Sequence, residues 1–147
     1  MRHRGASIIF FNSSHQVLLF LRDNIPAIPY PGLWDLPGGH LEENESAEEC
    51  IVREMFEEME INVKGCSLFR IYEFSDRREY LFMLQEDFKP DEIVLHEGQM
   101  IQWFTESEAE ALELAYGIRK VLADYFVSLR QKGAPPHYHE GDGSLPY

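Results

Sequence analysis

The stretch GGHLEENESAEECIVREMFEEMEI, residues 38 to 61, constrains this chain most: it holds nine glutamates and a single strong base, Arg53. Ser46 and Glu49 make an S-x-x-E capping box, which satisfies the first free backbone donors of a helix and fixes where it starts. At about 100° per residue, Ala47, Ile51, Met55 and Met59 fall on one drifting apolar stripe. Glu54, Glu57 and Glu58 cluster beside it at i, i+3 and i+4, and Glu58 projects between Ala47 and Ile51. A purely solvated acidic face would lie on the opposite side of the helix. A carboxylate at the edge of a buried stripe is costly unless paired or bound to metal, and three like charges at this spacing repel one another. Arg53 cannot neutralise all three; one turn after Glu49 and one before Glu57, it is placed to hold a carboxylate in orientation. Hard cations such as Mg²⁺ bridge a few carboxylates to substrate phosphates. Gly38 and Gly39, read as a turn, can bring bare backbone close to such a metal or phosphate.

The remaining segments supply a sheet for this helix to cover. GASIIFF (5–11) and QVLLFL (16–21) are apolar runs of strand length separated by the turn residues NSSH, and they read as a hairpin. Four prolines between Arg22 and Pro37 exclude a central strand or a helix interior, so only Leu33 to Leu36 can pair briefly. CSLFRIYEFS and EYLFMLQE, joined by DRR, form a second expected hairpin, and QMIQWFT is one more strand. Thr105 and Glu108 cap a short helix; apolar residues at 118, 121, 122, 125, 126 and 129 give an amphipathic one. Strands interleaved with two substantial helices imply an α/β sandwich, a mixed sheet covered on both faces. One domain is expected over 1–132, followed by a loose tail at 133–147 rich in Gly and Pro.

Composition narrows the function. At 147 residues, 44% of them hydrophobic, the chain can bury a real core within one domain. Cys50 and Cys66 both lie in apolar-patterned segments and read as small buried hydrophobes, which suits a reducing compartment and a cytoplasmic location. The N-terminal SIIFF is too short for a signal-peptide core, and no segment approaches a membrane span. A net charge of -13, without any run of Lys and Arg, excludes polymeric nucleic acid as a partner. The same charge repels a small phosphorylated substrate unless divalent cations stand between acid and phosphate.

Gly39, Glu45, Arg53, Glu54, Met55, Glu57, Glu58 and Ile61 fall in register with G-x5-E-x7-R-E-U-x-E-E-x-G-U, U being bulky and aliphatic. The stretch therefore resembles the signature box of the Nudix hydrolases. PGLWDLPGG before the box and WFTESEAEAL after the last strand are similar to common Nudix surroundings, which extends the likeness loosely from residue 5 to 130. Glu60 departs from the pattern, standing where the family has glycine. A glutamate disfavours the left-handed stop, so the helix is expected to run on. Asn44, where many relatives carry glycine, is a milder change because Asn tolerates that conformation.

The resemblance implies a Nudix-type α/β/α sandwich with the box helix at its active site. It also implies Mg²⁺- or Mn²⁺-dependent hydrolysis of a nucleoside diphosphate linked to another group, X. Carried over by position, Glu57 and Glu58 correspond to the main metal ligands, Glu54 to a ligand or the base that activates water, and the Gly38 carbonyl to a further ligand. Arg53 would orient them, and Glu97, in HEGQ, is similar to a distal glutamate that some members use as ligand or base. Arg22, which ends the second strand, His40 and Gly39 are the expected substrate contacts. Trp34 and Trp103 are expected in the core or the cleft wall, while His137, His139 and Glu140 read as solvated tail residues rather than a metal cluster. The layout looks most like mutator-type enzymes that split nucleoside triphosphates, oxidised ones included, into monophosphate and pyrophosphate. Nucleotide sugars, dinucleoside polyphosphates and a non-catalytic nucleotide sensor stay open, and a homodimer is compatible with all of these.

Overall fold

Alternation within the two N-terminal apolar runs decides the architecture. In β1 (His3–Phe11), Ala6, Ile8 and Phe10 point to one face of the sheet and Ile9 to the other. In β2 (Val17–Leu21), Leu18 and Phe20 join the first face, Val17 and Leu19 the second. Strands buried on both faces need cover on both faces. The computed structural model, which describes residues 3–132, provides it.

Helix α1 (Ala47–Met59) packs Cys50, Ile51, Met55 and Met59 onto the first face. Helices α2 (Glu106–Glu110) and α3 (Ile118–Lys132) cover the second through Ala109, Ile118, Val121, Leu122, Tyr125 and Phe126. Burying each of the larger of these side chains contributes about 1.5–3 kcal/mol. Both expected capping boxes are present, Ser46 with Glu49 and Thr105 with Glu108. Between the helices lies a mixed sheet that also contains β3 (Trp34–Asp35), β4 (Gly38–His40), β5 (Ser67–Glu73), β6 (Arg77–Gln85) and β7 (Met100–Phe104). Its order is β3-β2-β1-β6-β5, with β4 also against β1 and β7 also against β2. This is the expected α/β/α sandwich.

Four details correct the sequence reading. β1 and β2 are joined by the expected turn, in which Asn12 Oδ1 accepts from Ser14 and Gln16 amides, but they pair only at Phe11 and Val17. The main partner of β1 is β6, parallel to it from His3–Arg77 to Phe11–Gln85. Gly38 and Gly39 are strand β4, antiparallel to β1, and not a turn. In the second hairpin the strand begins at Arg77, inside the segment read as its loop.

The fourth correction concerns Glu60. The helix does not run on: Glu60 adopts the left-handed conformation, φ 56° and ψ 35°, and its N–H reaches back to the carbonyls of Met55 and Phe56. The glutamate accepts a backbone state that costs about 1 kcal/mol relative to glycine. Asn44 is also left-handed, φ 65°, as its type allows.

Candidate active site

Helix α1 carries Glu58 inward, and the structure leaves it only 8% exposed. Burial first, then a hydrogen bond with the Glu54 side chain and the charge of Glu97, raise its pKa far above the usual carboxylate range. Its titrating neighbours are thus other acids. Glu54 in turn rests on Gly39: a Cβ there would stand 2.2 Å from the Glu54 carboxyl carbon. A Cβ at Gly38 would strike the Ala6 carbonyl oxygen at 2.1 Å. Bare backbone at these two positions lets β4 lie against β1 on one side and against the acidic helix on the other.

Arg53 gathers the surrounding carboxylates. It donates to both oxygens of Glu45 (2.7 and 3.0 Å), to Glu54 (3.0 Å), to Glu57 (3.1 Å) and to the His40 carbonyl (3.2 Å). The expected contact with Glu49 is corrected, because that carboxylate accepts from the Ser46 amide in the capping box. Arg53 holds the Glu45 carboxyl down at about 2, helped by the Glu42 amide. Glu57 is turned outward, its side chain 57% exposed. Among the described residues no three acidic, histidine or cysteine side chains already converge as a finished metal cage. The donor chemistry still fits Mg²⁺ or Mn²⁺: the set offers oxygen alone, and its buried member Glu58 has Glu54, Glu57 and Glu97 for neighbours.

A cleft of about 230 Å³ opens beside this cluster, and five of the expected site residues, Arg22, Gly38, Gly39, His40 and Glu97, are among its lining. His40 stacks on His3 with ring centroids 4.9 Å apart. Arg22 donates to Asp35 (3.2 Å) and to the Pro29 carbonyl (2.8 Å). Loss of solvent pushes the Asp35 carboxyl up to about 6, against the pull of Arg22 and the Leu36 amide. Trp34 and Trp103 do not line this cleft: Trp34 packs edge-on against Phe104, and the Trp103 indole donates to the Phe88 carbonyl. His137, His139 and Glu140 lie outside the described residues.

At the far end of the cleft lies a group of residues that sequence reasoning did not bring together. There Glu79, buried on β6, accepts from Ser7 Oγ and from Arg77 Nε (2.7 Å). Arg77 also donates to Asp76 (3.0 Å) and the Tyr116 carbonyl (3.0 Å), and lies over the Phe74 ring at 4.6 Å. Gly5 makes room for this, since a Cβ there would meet Glu79 Oε1 at 2.6 Å. Tyr30, left-handed at φ 52°, donates to Asp76 (3.3 Å) and closes the rim with Tyr116. The available signal was Glu79 itself, a charge directly before the apolar run Tyr80–Leu84 of β6.

Comparison with known proteins agrees with this geometry. A Bacillus subtilis (strain 168) protein, provisionally named an 8-oxo-dGTP diphosphatase, is 39% identical over 85 residues, 56% of this chain. The match spans 53% of that relative, about half its length. Diphosphoinositol polyphosphate phosphohydrolase 2 of Mus musculus is 26% identical over 149 aligned residues, covering 99% of this chain and 80% of its own. A solved structure of MutT, from work on Aliivibrio salmonicida and Vibrio cholerae, superposes with a TM-score of 0.69 at 24% identity, covering 84% of this chain and 95% of that one; it carries the fold. The NUDIX domain model matches residues 1–125, and the chain is therefore a member of the Nudix family.

Proposed function

We propose that this hydrolase cleaves nucleoside triphosphates, oxidised purine nucleotides included, to the monophosphate and pyrophosphate. One observation carries the choice among the substrates that the relatives' names suggest: both arginines of the cleft are already committed to carboxylates. Arg22 is paired with Asp35, and Arg77 with Glu79 and Asp76. No lysine is among the residues lining the cleft. An inositol polyphosphate bears phosphate around its whole ring and needs a cluster of free cations. A nucleotide concentrates its charge in one chain and presents an uncharged aromatic ring at the other end. The acidic helix fits the charged chain, and the end walled by Tyr30 and Tyr116 fits the ring.

In this reading Glu54, Glu57, Glu58 and the Gly38 carbonyl would hold Mg²⁺ or Mn²⁺, and Glu57 would leave Arg53 to do so. The metal, when bound, neutralises the phosphate oxygens and the charge that grows on the leaving group. Water attacks phosphorus while Glu97 or Glu54 takes its proton, a new P–O bond forms, and the bridging P–O bond breaks toward the departing phosphate group. Arg53 keeps the carboxylates in orientation, and Arg22, His40 and Gly39 contact the substrate. Cys50 and Cys66 are free thiols, which suits a reducing cytoplasm.

A panel of dGTP, 8-oxo-dGTP, ATP, nucleotide sugars, dinucleoside polyphosphates and diphosphoinositol polyphosphates, assayed with Mg²⁺, tests the reading. Pyrophosphate and monophosphate from the triphosphates are expected, with turnover abolished by excess chelator. Turnover confined to the inositol compounds or to the sugars would overturn the substrate class, and full activity in chelator would overturn the metal.

A further inference from the structure

The segment 96–99 is anchored on both sides of Glu97. Toward α1, the His96 amide donates to the Glu58 carbonyl at 2.8 Å, and His96 Nε2 meets Glu60 Oε2 at 2.7 Å, where an ionised carboxylate accepts from the imidazole N–H. Toward β2, the Gly98 amide donates to Asp23 Oδ2 (3.3 Å), and Gln99 donates to the Leu21 carbonyl through its amide and to the Arg22 carbonyl through its side chain (2.8 Å each). Gly98 sits at φ 85°, and a Cβ there would meet Phe20 at 2.8 Å, so this side is a tight backbone fit. Glu97 lies between the two anchors, lines the cleft, and is close enough for its charge to act on Glu58.

Glu60 is the unexpected part of this arrangement. It occupies the position where the box has glycine and takes the left-handed backbone that glycine would adopt more easily. Its contact with His96 is half-exposed on both sides, and a pair of that kind does not offset the backbone cost. Stability therefore gives no reason for a glutamate here. Position does.

We infer that Glu60 and His96 form a clasp that positions Glu97 against Glu58 and the phosphate end of the cleft. The inference rests on the reading of Glu97 as a group that acts on water or metal; Glu60 and His96 act through it and touch no substrate. Five measurements test it. Glu60→Gly, which restores the left-handed preference, should melt at or above the parent temperature. Its kcat should nevertheless fall about 10-fold with KM within about twofold, as displacement of a reacting group by part of an ångström does. In the metal-free protein without nucleotide, hydrogen exchange of the His96 amide should accelerate about 10-fold in this variant, reporting release of the segment. Added to Glu97→Gln, the same change should cost less than about twofold in rate, because the clasp has nothing left to position. His96→Gln, which keeps a side-chain donor, should recover most of what His96→Ala loses.

Unchanged exchange in Glu60→Gly, or an equal loss of rate in the parent and Glu97→Gln backgrounds, would overturn the clasp. A parent protein that turns over none of the triphosphates sinks the substrate reading alone, since the exchange experiment needs no substrate.

Discussion

Two arginines, Arg77 in the cleft lining and Arg53 on the acidic helix beside it, each collect carboxylates, and they do so with opposite results. Arg77 holds Glu79 and Asp76 while Ser7 completes Glu79, so the buried acid of that group has a cation and a hydroxyl. Arg53 holds Glu45, Glu54 and Glu57 but leaves the buried acid beside them, Glu58, facing Glu54 and Glu97. A satisfied buried network fixes shape; one that leaves an acid without a counter-charge is incomplete until a cation arrives. On the proposed function, the Arg77 end would serve substrate fit and the Arg53 end the chemistry.

The largest effect expected from breaking this contrast is at Glu58. Glu58→Gln should lower kcat by about 100-fold or more, while the metal-free protein melts at the same or a higher temperature, because a costly buried acid has been removed. The Mg²⁺-induced rise in melting temperature should shrink at the same time. A variant that kept both its rate and its metal response would place the chemistry elsewhere.

Removing the arginines should separate stability from catalysis. Arg77→Ala leaves Glu79 buried without its cation and should cost about 3–5 kcal/mol in denaturant unfolding. Arg53→Ala should cost less, about 1–3 kcal/mol, and should lower kcat because Glu54 and Glu57 lose their common partner. Acid sharpens the second case. Glu45 is held at about 2 by Arg53, below its ordinary 4.5, so its contribution is present above pH 4.5 and is lost as pH falls toward 2. That slope should flatten in Arg53→Ala, and an unaltered slope would show that the pair does not set it.

Smaller effects grade the acidic helix by position. Glu57→Gln should lose less activity than Glu58→Gln, since Glu57 starts exposed and paired with Arg53. Glu42→Gln and Glu48→Gln should each change stability by no more than about 0.5 kcal/mol and leave the rate near that of the parent. Equal losses at all four positions, read as rates and melting temperatures side by side, would mean that charge count rather than geometry matters.

Much of this could be read before any coordinates. The capping boxes, the inward turn of Glu58 and the strands β1, β2, β5, β6 and β7 follow from local chemistry and periodicity, which act over a few residues. Strand β4 could not be read, because two glycines in three residues carry no side-chain pattern and its pairing depends on space left beside β1. The Ser7–Glu79–Arg77 group was hidden for another reason: its members come from two strands whose register only the folded sheet defines. The stop at Glu60 went against propensity, because the backbone hydrogen bonds that close the helix, from Glu60 to Phe56 and from Ile61 to Met55, outweigh the preference of one residue.

The long parallel pairing of β1 with β6 has a consequence for how the chain is made. During synthesis β1, with its SIIFF core, leaves the ribosome roughly seventy residues ahead of the strand that becomes its main neighbour. For that interval its apolar residues have the brief contact with β2, the short β4 and, on one face, helix α1 to shelter them. Pairing across so large a sequence separation is slow, and an unpaired apolar strand is a template for association with other chains. Yield at high expression temperature is therefore expected to depend on the wait for β6, and the charge that Arg4 places at the exposed end of β1 guards the nascent chain without touching its core.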